Sequence, residues 1–286
     1  MADFDHIVEA ILAEGVSPPA AEIAGTLVED WLRHYADKET DLRTVGVSVK
    51  LACEVARLGD GTPIWAVGIA DHIYESASGD IVLDEWKTTQ SRSSRWNEKA
   101  WWDSLVESPQ LAFYNKLVSV AYPSRNVRLR PRAIVRRGAE IEFWPDHEVF
   151  APAPASTIDL TTVLLHESAS LLLSARADYA PWQLMGPQCH AFFRECEHLA
   201  GCKAGEFPSR IVDKFRGSAY REESWAVPAN AIVWSPTSYA MWTSCKERWR
   251  RNYLVGAERE TTLDLEIGRA FHAGLSAWYE KRKLTT

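Results

Sequence analysis

GIADHIYESASGDIVLDEWKTT, residues 68–89, decides how this chain reads. It joins the ends of two strand-like runs, PIWAVGIADHIY (63–74) and IVLDEWKTT (81–89), across a turn signal from Ser76 to Asp80. Residues two apart in a strand project to one face. Glu85 and Lys87 are therefore expected side by side, with Trp86 and Leu83 pointing elsewhere or into packing. Asp71 ends the first run directly after Gly68-Ile69-Ala70, and a hairpin pairing brings it close to Glu85. Two carboxylates and a lysine then face one pocket. Hard ions such as Mg2+ and Mn2+ take carboxylate, carbonyl and water ligands. Such an ion stabilises charge on a phosphodiester and lowers the pKa of an attacking water. Asp84 is a competing acid. On a regular strand it faces away from Glu85, and a bulge would reverse the two. An acidic-x-Lys triplet alone reads as a solvent-facing pair on an edge strand; its surroundings are what change that.

Working outward, VSVKLACEVARL (47–58) and the turn Gly59-Asp60-Gly61 precede this stretch, which predicts a three-strand antiparallel meander. Residues 1–45 read as amphipathic helix broken at Pro18 and Pro19, with apolar residues at helical spacing from Ala20 to Tyr35. Downstream, 100–119 reads as a helix with Gln110 and Tyr114 four apart on one face. VRLRPRAIVRR (127–137) and AEIEFW (139–144) read as two strands, the first interrupted by Pro131. Ser156 or Thr157 starts a helix to about Ala175, and 186–205 is loop-like. Residues 206–232 read as a linker. Helices are expected over 235–254, where Ser235 precedes Pro236 at the first helical position, and over 263–283. The fold class is α/β, a mixed central sheet flanked by helices.

With 286 residues, 46% apolar and 25% charged, the chain has room for a sizeable core. No apolar run approaches the ~20 residues that span a bilayer. The start, MADFDHIVEA, lacks the order of a secretory signal, so a cytoplasmic protein without membrane attachment is expected. A net charge of −7 does not suggest a nucleic-acid binder, but binding depends on local patches. Two basic stretches exist, SRNVRLRPRAIVRR (124–137) and KERWRR (246–251), and charge alone reads them as solvated faces.

An odd count of five cysteines argues against a disulfide framework. Three of them, Cys189, Cys196 and Cys202, share the segment GPQCHAFFRECEHLAGCKAG (186–205), which points to a metal or cluster site. Structural zinc sites usually contain a C-x-x-C knuckle, and none is here. A zinc site using these cysteines with His190 or His198 is a weaker alternative.

GIADHIY, IVLDEWKTT and QLAFY (110–114), in that order, resemble the RecB-like branch of the PD-(D/E)XK nucleases. That branch shows a Gly-x-x-Asp strand, an acidic-x-Lys strand followed by threonine, and a Gln-x-x-x-Tyr helix. The resemblance implies a restriction-endonuclease-like core over 46–150. Asp71 and Glu85 would bind Mg2+ or Mn2+, helped by the Trp86 main-chain carbonyl. Lys87 would orient the water or stabilise transition-state charge. Gln110 and Tyr114 would support the site and contact DNA.

The cysteine segment resembles the cluster region of iron–sulfur nucleases of the AddB, CRISPR-adaptation and phage group. There, three late cysteines and one early cysteine hold a structural [4Fe–4S] cluster. Cys189, Cys196 and Cys202 match the late three. Cys245 is the preferred fourth and Cys53 its rival. IGRAFHAGLSAWY (267–279) resembles the family's Gly-x-x-x-His helix, with Gly268 and His272 matching and His272 supplied to the metal. These last helices, 233–286, open the domain in relatives. The implied order is circularly permuted: 1–45 helical, 46–150 core, 151–205 helix and cysteine cluster, 206–232 linker, then 233–286. One permuted domain over 1–286 is the reading, against a fragment or a swapped dimer.

The resemblance implies a deoxyribonuclease, an exonuclease or end-processing enzyme on single-stranded DNA or duplex ends. Recombination, repair, phage or CRISPR-type DNA processing is the setting, with protein partners and oligomers open. Arg and Lys of the basic stretches would track phosphates, and Trp96, Trp101 and Trp102 would stack bases. The alternative is a catalytically silent nuclease fold that binds DNA or joins an assembly.

Overall fold

The computed structural model describes residues 4–39, 42–90, 109–137, 140–144, 162–170, 225–228, 230–245, 249 and 262–283. Helix α1 (Asp5–Ala13) buries Ile7 and Ile11, one turn apart. Helix α2 (Pro18–Tyr35) starts with proline at its first position and buries Ala20, Ala24, Leu27, Val28, Trp31 and Tyr35. A 3-10 turn, Ala36–Glu39, leads into strands β1 (Arg43–Arg57), β2 (Pro63–Glu75) and β3 (Ile81–Gln90). These form the antiparallel meander that the turn signals predict. Helix α3 (Pro109–Ala121) leads to β4 (Val127–Arg137), which lies parallel to β3, and β5 (Glu140–Phe143) returns antiparallel. Residues 162–170 are helical. Strand β6 (Ile232–Trp234) pairs parallel with β2 and is followed by helices α4 (Pro236–Ser244) and α5 (Leu263–Lys283). The result is a mixed six-stranded sheet between two layers of helices.

Each face of the sheet has its own core. On one face, Phe113, Leu117 and Val118 of α3 and Tyr239 and Trp242 of α4 pack on Ile73, Leu83 and Val135. On the other, α1, α2 and α5 enclose Trp31, Phe271 and Leu275 against Trp86 and Ile134. Burying each such side chain contributes about 1.5–3 kcal/mol. Helix α5 fits closely because Gly274 has no side chain: a Cβ there would lie 2.9 Å from Val28 Cγ2 and 3.2 Å from Ile11.

Leu83 and Trp86 both point into packing, as expected, Leu83 in the core on the side of Glu85 and Lys87 and Trp86 in the opposite core. Other expectations are corrected. Strand β4 runs unbroken through Pro131, which stands opposite Glu85. β5 pairs only with residues 134–137 of β4, so the outer edge of β4 at Pro131 needs no N–H donor among the described strands. The helix expected over 235–254 is interrupted at Cys245, which is extended, with φ −157° and ψ 106°; Trp249 beyond it is helical again and its N–H donates to the Cys245 carbonyl. Its start is as expected, with Ser235 and Ser238 closing a capping box. The expected linker ends early, since Ile232 already lies in β6. The helix expected over 100–119 is described from Pro109 and continues to Ala121; residues 100–108 lie outside the described residues.

The sheet also divides. Pairing of β2 with β3 runs from Glu75 opposite Ile81 to His72 opposite Asp84, and stops there. β3 continues along β4 as far as Gln90, while β2 continues along β1 to Pro63. Farther along, Ile64, Trp65 and Ala66 of β2 take β6 as their neighbour. Between these two ladders, from Val67 to Asp71, that edge of β2 has no strand partner among the described residues.

Candidate active site

Asp71 and Glu85 are the first residues past the last β2–β3 rung. A backbone that loses its ladder must find other partners. Trp86 N–H does so by donating to Asp71 Oδ2 at 2.8 Å, and Tyr114 O–H donates to the Ile69 carbonyl at 2.9 Å. Gly68 makes room for that tyrosine: a Cβ there would lie 3.0 Å from the Tyr114 ring and from Leu117.

Both helical layers reach this fork. From α5, His272 Nδ1 lies 3.1 Å from Asp71 Oδ1. From α3, Gln110 Nε2 donates to Glu85 Oε1 at 2.7 Å, and Lys87 Nζ donates to the same oxygen. Glu85 forms the floor, with 3% of its side chain exposed, while Lys87 and His272, at 26% and 33%, open to solvent. The second Glu85 oxygen, Oε2, is buried with no hydrogen-bond partner. Gly268, one turn before His272, lies over Thr88, where a Cβ would sit 3.4 Å from Oγ1.

The charges here are strongly perturbed. Burial pushes the Glu85 carboxyl up, the Asp71 charge adds to this, and Lys87 offsets only part, leaving it at about 7. Burial alone would raise Asp71 as well. The His272 charge and hydrogen bond, with Lys87 and the Trp86 N–H, outweigh it and hold that carboxyl below its usual range. His272 and Lys87 are both raised: burial opposes their charge, and the two carboxylates more than restore it. A carboxyl poised near neutrality beside an ionised one is a pattern found at functional sites.

Asp84 belongs to the opposite face, and the unbroken β3–β4 register leaves no bulge to reverse it. It is fully buried, bonded by His72 Nδ1 at 3.3 Å and by Arg130 at 2.5 and 2.7 Å. Arg132 pairs with the buried Glu39, which also accepts from Tyr279 O–H at 2.5 Å. The arginines described in the tract 124–137 are held in ion pairs. Arg130 and Arg132 point inward, Arg125 pairs with Glu75, Arg128 with Asp80 at 2.7 Å, and Arg136 with Asp264 at 3.5 Å. This cluster escaped sequence reasoning. Its signal was His72, a polar residue inside an apolar strand run; Glu39 carried none.

Cys245 is half-buried at the end of α4, and Cys53 lies on β1 and is buried in the core, where burial pushes its thiol up. Cys189, Cys196 and Cys202 lie outside the described residues, as do Trp96, Trp101, Trp102 and residues 246–248. Among the described residues, no three His, Cys, Asp or Glu side chains are placed as a ready-made metal site. Nor is any described helix long and apolar enough to cross a membrane.

No protein-family model matches the chain, and no curated protein matches it. Three chains of solved structures match. One is described as the crystal structure of SSO0001, 16% identical over 58% of this chain and 71% of that one, with a TM-score of 0.26. A likeness at that level carries no statement about fold or activity.

Proposed function

We propose that this chain is a Mg2+- or Mn2+-dependent deoxyribonuclease with a permuted RecB-like PD-(D/E)XK core, acting on single-stranded DNA or duplex ends. The observation that carries the reading is Glu85 Oε2, a buried carboxylate oxygen without a partner, next to Asp71 and His272. A buried carboxylate whose charge Lys87 offsets only in part is costly, and a divalent cation would complete its surroundings. Two carboxylates and an imidazole suit Mn2+, and carboxylates with water suit Mg2+. In the metal-free protein Asp71, Glu85 and His272 are not spaced as a ready-made site; their chemistry suits the ion, which they would hold with the Trp86 carbonyl.

When bound, the ion supplies charge stabilisation for the phosphate and a lowered pKa for water. The protein's own groups do the rest. Gln110 fixes the Glu85 carboxylate, and Tyr114 braces the open edge of β2 through Ile69. Lys87 keeps its proton, since both carboxylates raise its pKa, and so presents a fixed positive charge to a phosphate or an attacking water. Cys189, Cys196, Cys202 and Cys245 are proposed to hold a [4Fe–4S] cluster. Cys245 suits this better than Cys53, whose thiol is kept protonated in an apolar core. The Asp71, Glu85 and Lys87 set speaks against a module that only binds DNA.

The test is degradation of linear DNA by purified protein with Mn2+. Wild type should digest it and Lys87→Ala should not. Activity retained in that variant sinks the assignment.

A further inference from the structure

Strand β1 changes faces within two residues. Val47 packs in the core beneath α5, whereas Val49 packs against the opposite core. A regular strand would send both to the same side. Its partner does the same: His72, opposite Val47, stacks on Tyr279 of α5, while Ala70, opposite Val49, belongs to the other core. Ser48 lies between, with φ +48°, one of two non-glycine residues with positive φ among those described. On β2, Asp71 lies between His72 and Ala70, the partners of Val47 and Val49.

Residues other than glycine, asparagine and aspartate seldom enter this left-handed region. Glycine would take the same φ without strain, yet the position holds a serine, and its hydroxyl is in use. Ser48 Oγ lies 2.9 Å from Ser276 Oγ. Ser276 follows His272 by one turn on the same face of α5. Two cross-links thus stand side by side between α5 and the fork: His272 to Asp71 and Ser276 to Ser48. Held strain of this kind gathers at functional sites.

We propose that Ser48 and Ser276 are positioning residues for the Asp71–His272 pair. The reversal at Ser48 turns the rung so that Asp71 leaves the core and faces the fork. The hydroxyl contact fixes the rotation of α5, and with it the reach of His272. This inference rests on Asp71 and His272 being metal ligands.

The test measures Mn2+ affinity by calorimetry and thermal midpoint for wild type, Ser48→Gly, Ser276→Ala, the double variant, and Asp71→Asn. Ser48→Gly keeps the left-handed backbone and should melt at or above the wild-type temperature. Both single variants should nevertheless bind Mn2+ about tenfold more weakly, the scale for groups that orient a ligand. The double variant should be no worse than either single one, because both remove one contact. Wild-type affinity in both singles, or losses that multiply in the double, would overturn the proposal. If Asp71→Asn binds Mn2+ like wild type, or wild type binds none, the metal reading itself fails and takes this inference with it. If Asp71→Asn abolishes binding while the serine variants are unaffected, only this inference fails.

Discussion

His272 Nδ1 lies 3.1 Å from Asp71 Oδ1, so the last helix is tied to the second strand where the sheet divides. The histidine is a third exposed, which limits what the pair adds to stability. His272→Ala should weaken Mn2+ binding by about 10–100-fold and change unfolding free energy by no more than about 1 kcal/mol. Calorimetry and urea titration of the same sample check both. Unchanged Mn2+ affinity would remove His272 from the site.

Adjacent acids should behave in opposite ways. Asp84 is fully buried between Arg130, Arg132 and His72. Asp84→Ala removes the carboxylate that Arg130 holds through two hydrogen bonds, leaves Glu39 alone to face both arginines, and should cost about 3–5 kcal/mol. Glu85 carries a desolvated charge and an unpartnered oxygen. Glu85→Gln should end metal-dependent cleavage at a small fraction of that stability cost. Denaturation midpoints at neutral pH decide it, and equal losses would refute the division of roles between the two faces.

Metal affinity should rise with pH through about 7, where burial has pushed the Glu85 carboxyl. Below that value the group keeps its proton, and an ion must displace it. His272, also raised, releases a second proton. Each proton steepens the rise by about tenfold per pH unit. The metal-free protein follows the opposite sign. A carboxyl whose folded pKa lies above its unfolded one contributes stability at low pH, and this is lost as pH rises from 4.5 through about 7. Calorimetric titrations on either side of neutrality, with and without Mn2+, read both trends. A flat affinity would mean that Glu85 does not bind the ion.

Anaerobic purification should yield a brown protein with about four irons per chain, as four thiolates allow. Cys245→Ser should lose iron and Cys53→Ser should keep it. A colourless, iron-free wild type would remove the cluster and make zinc analysis the next measurement.

Much of this arrangement was legible in the sequence where local rules decide. The meander over β1 to β3 follows from Gly and Ser turn signals between β-rich runs, and α5 from an apolar stripe spanning Leu263–Lys283. Glu85 and Lys87 share a face because strands alternate. What escaped depends on distant partners. That Arg130 and Arg132 point inward is set by Asp84 and Glu39, and Glu39 lies 93 residues before Arg132. The left-handed turn at Ser48 has no signature, since serine takes extended backbone elsewhere. β6 is three residues long, too short for alternation to show.

The position of His272 on the closing helix also sets when the site can exist. Synthesis delivers Asp71, Glu85 and Lys87 early and His272 last, and chains fold as they emerge. The contacts that dock α5 are far apart along the chain, 240 residues between Tyr279 and Glu39 and 228 between Ser276 and Ser48. Contacts of such long sequence separation form slowly. On a chain that folds as it emerges, the acidic strands are therefore made before the histidine can reach them.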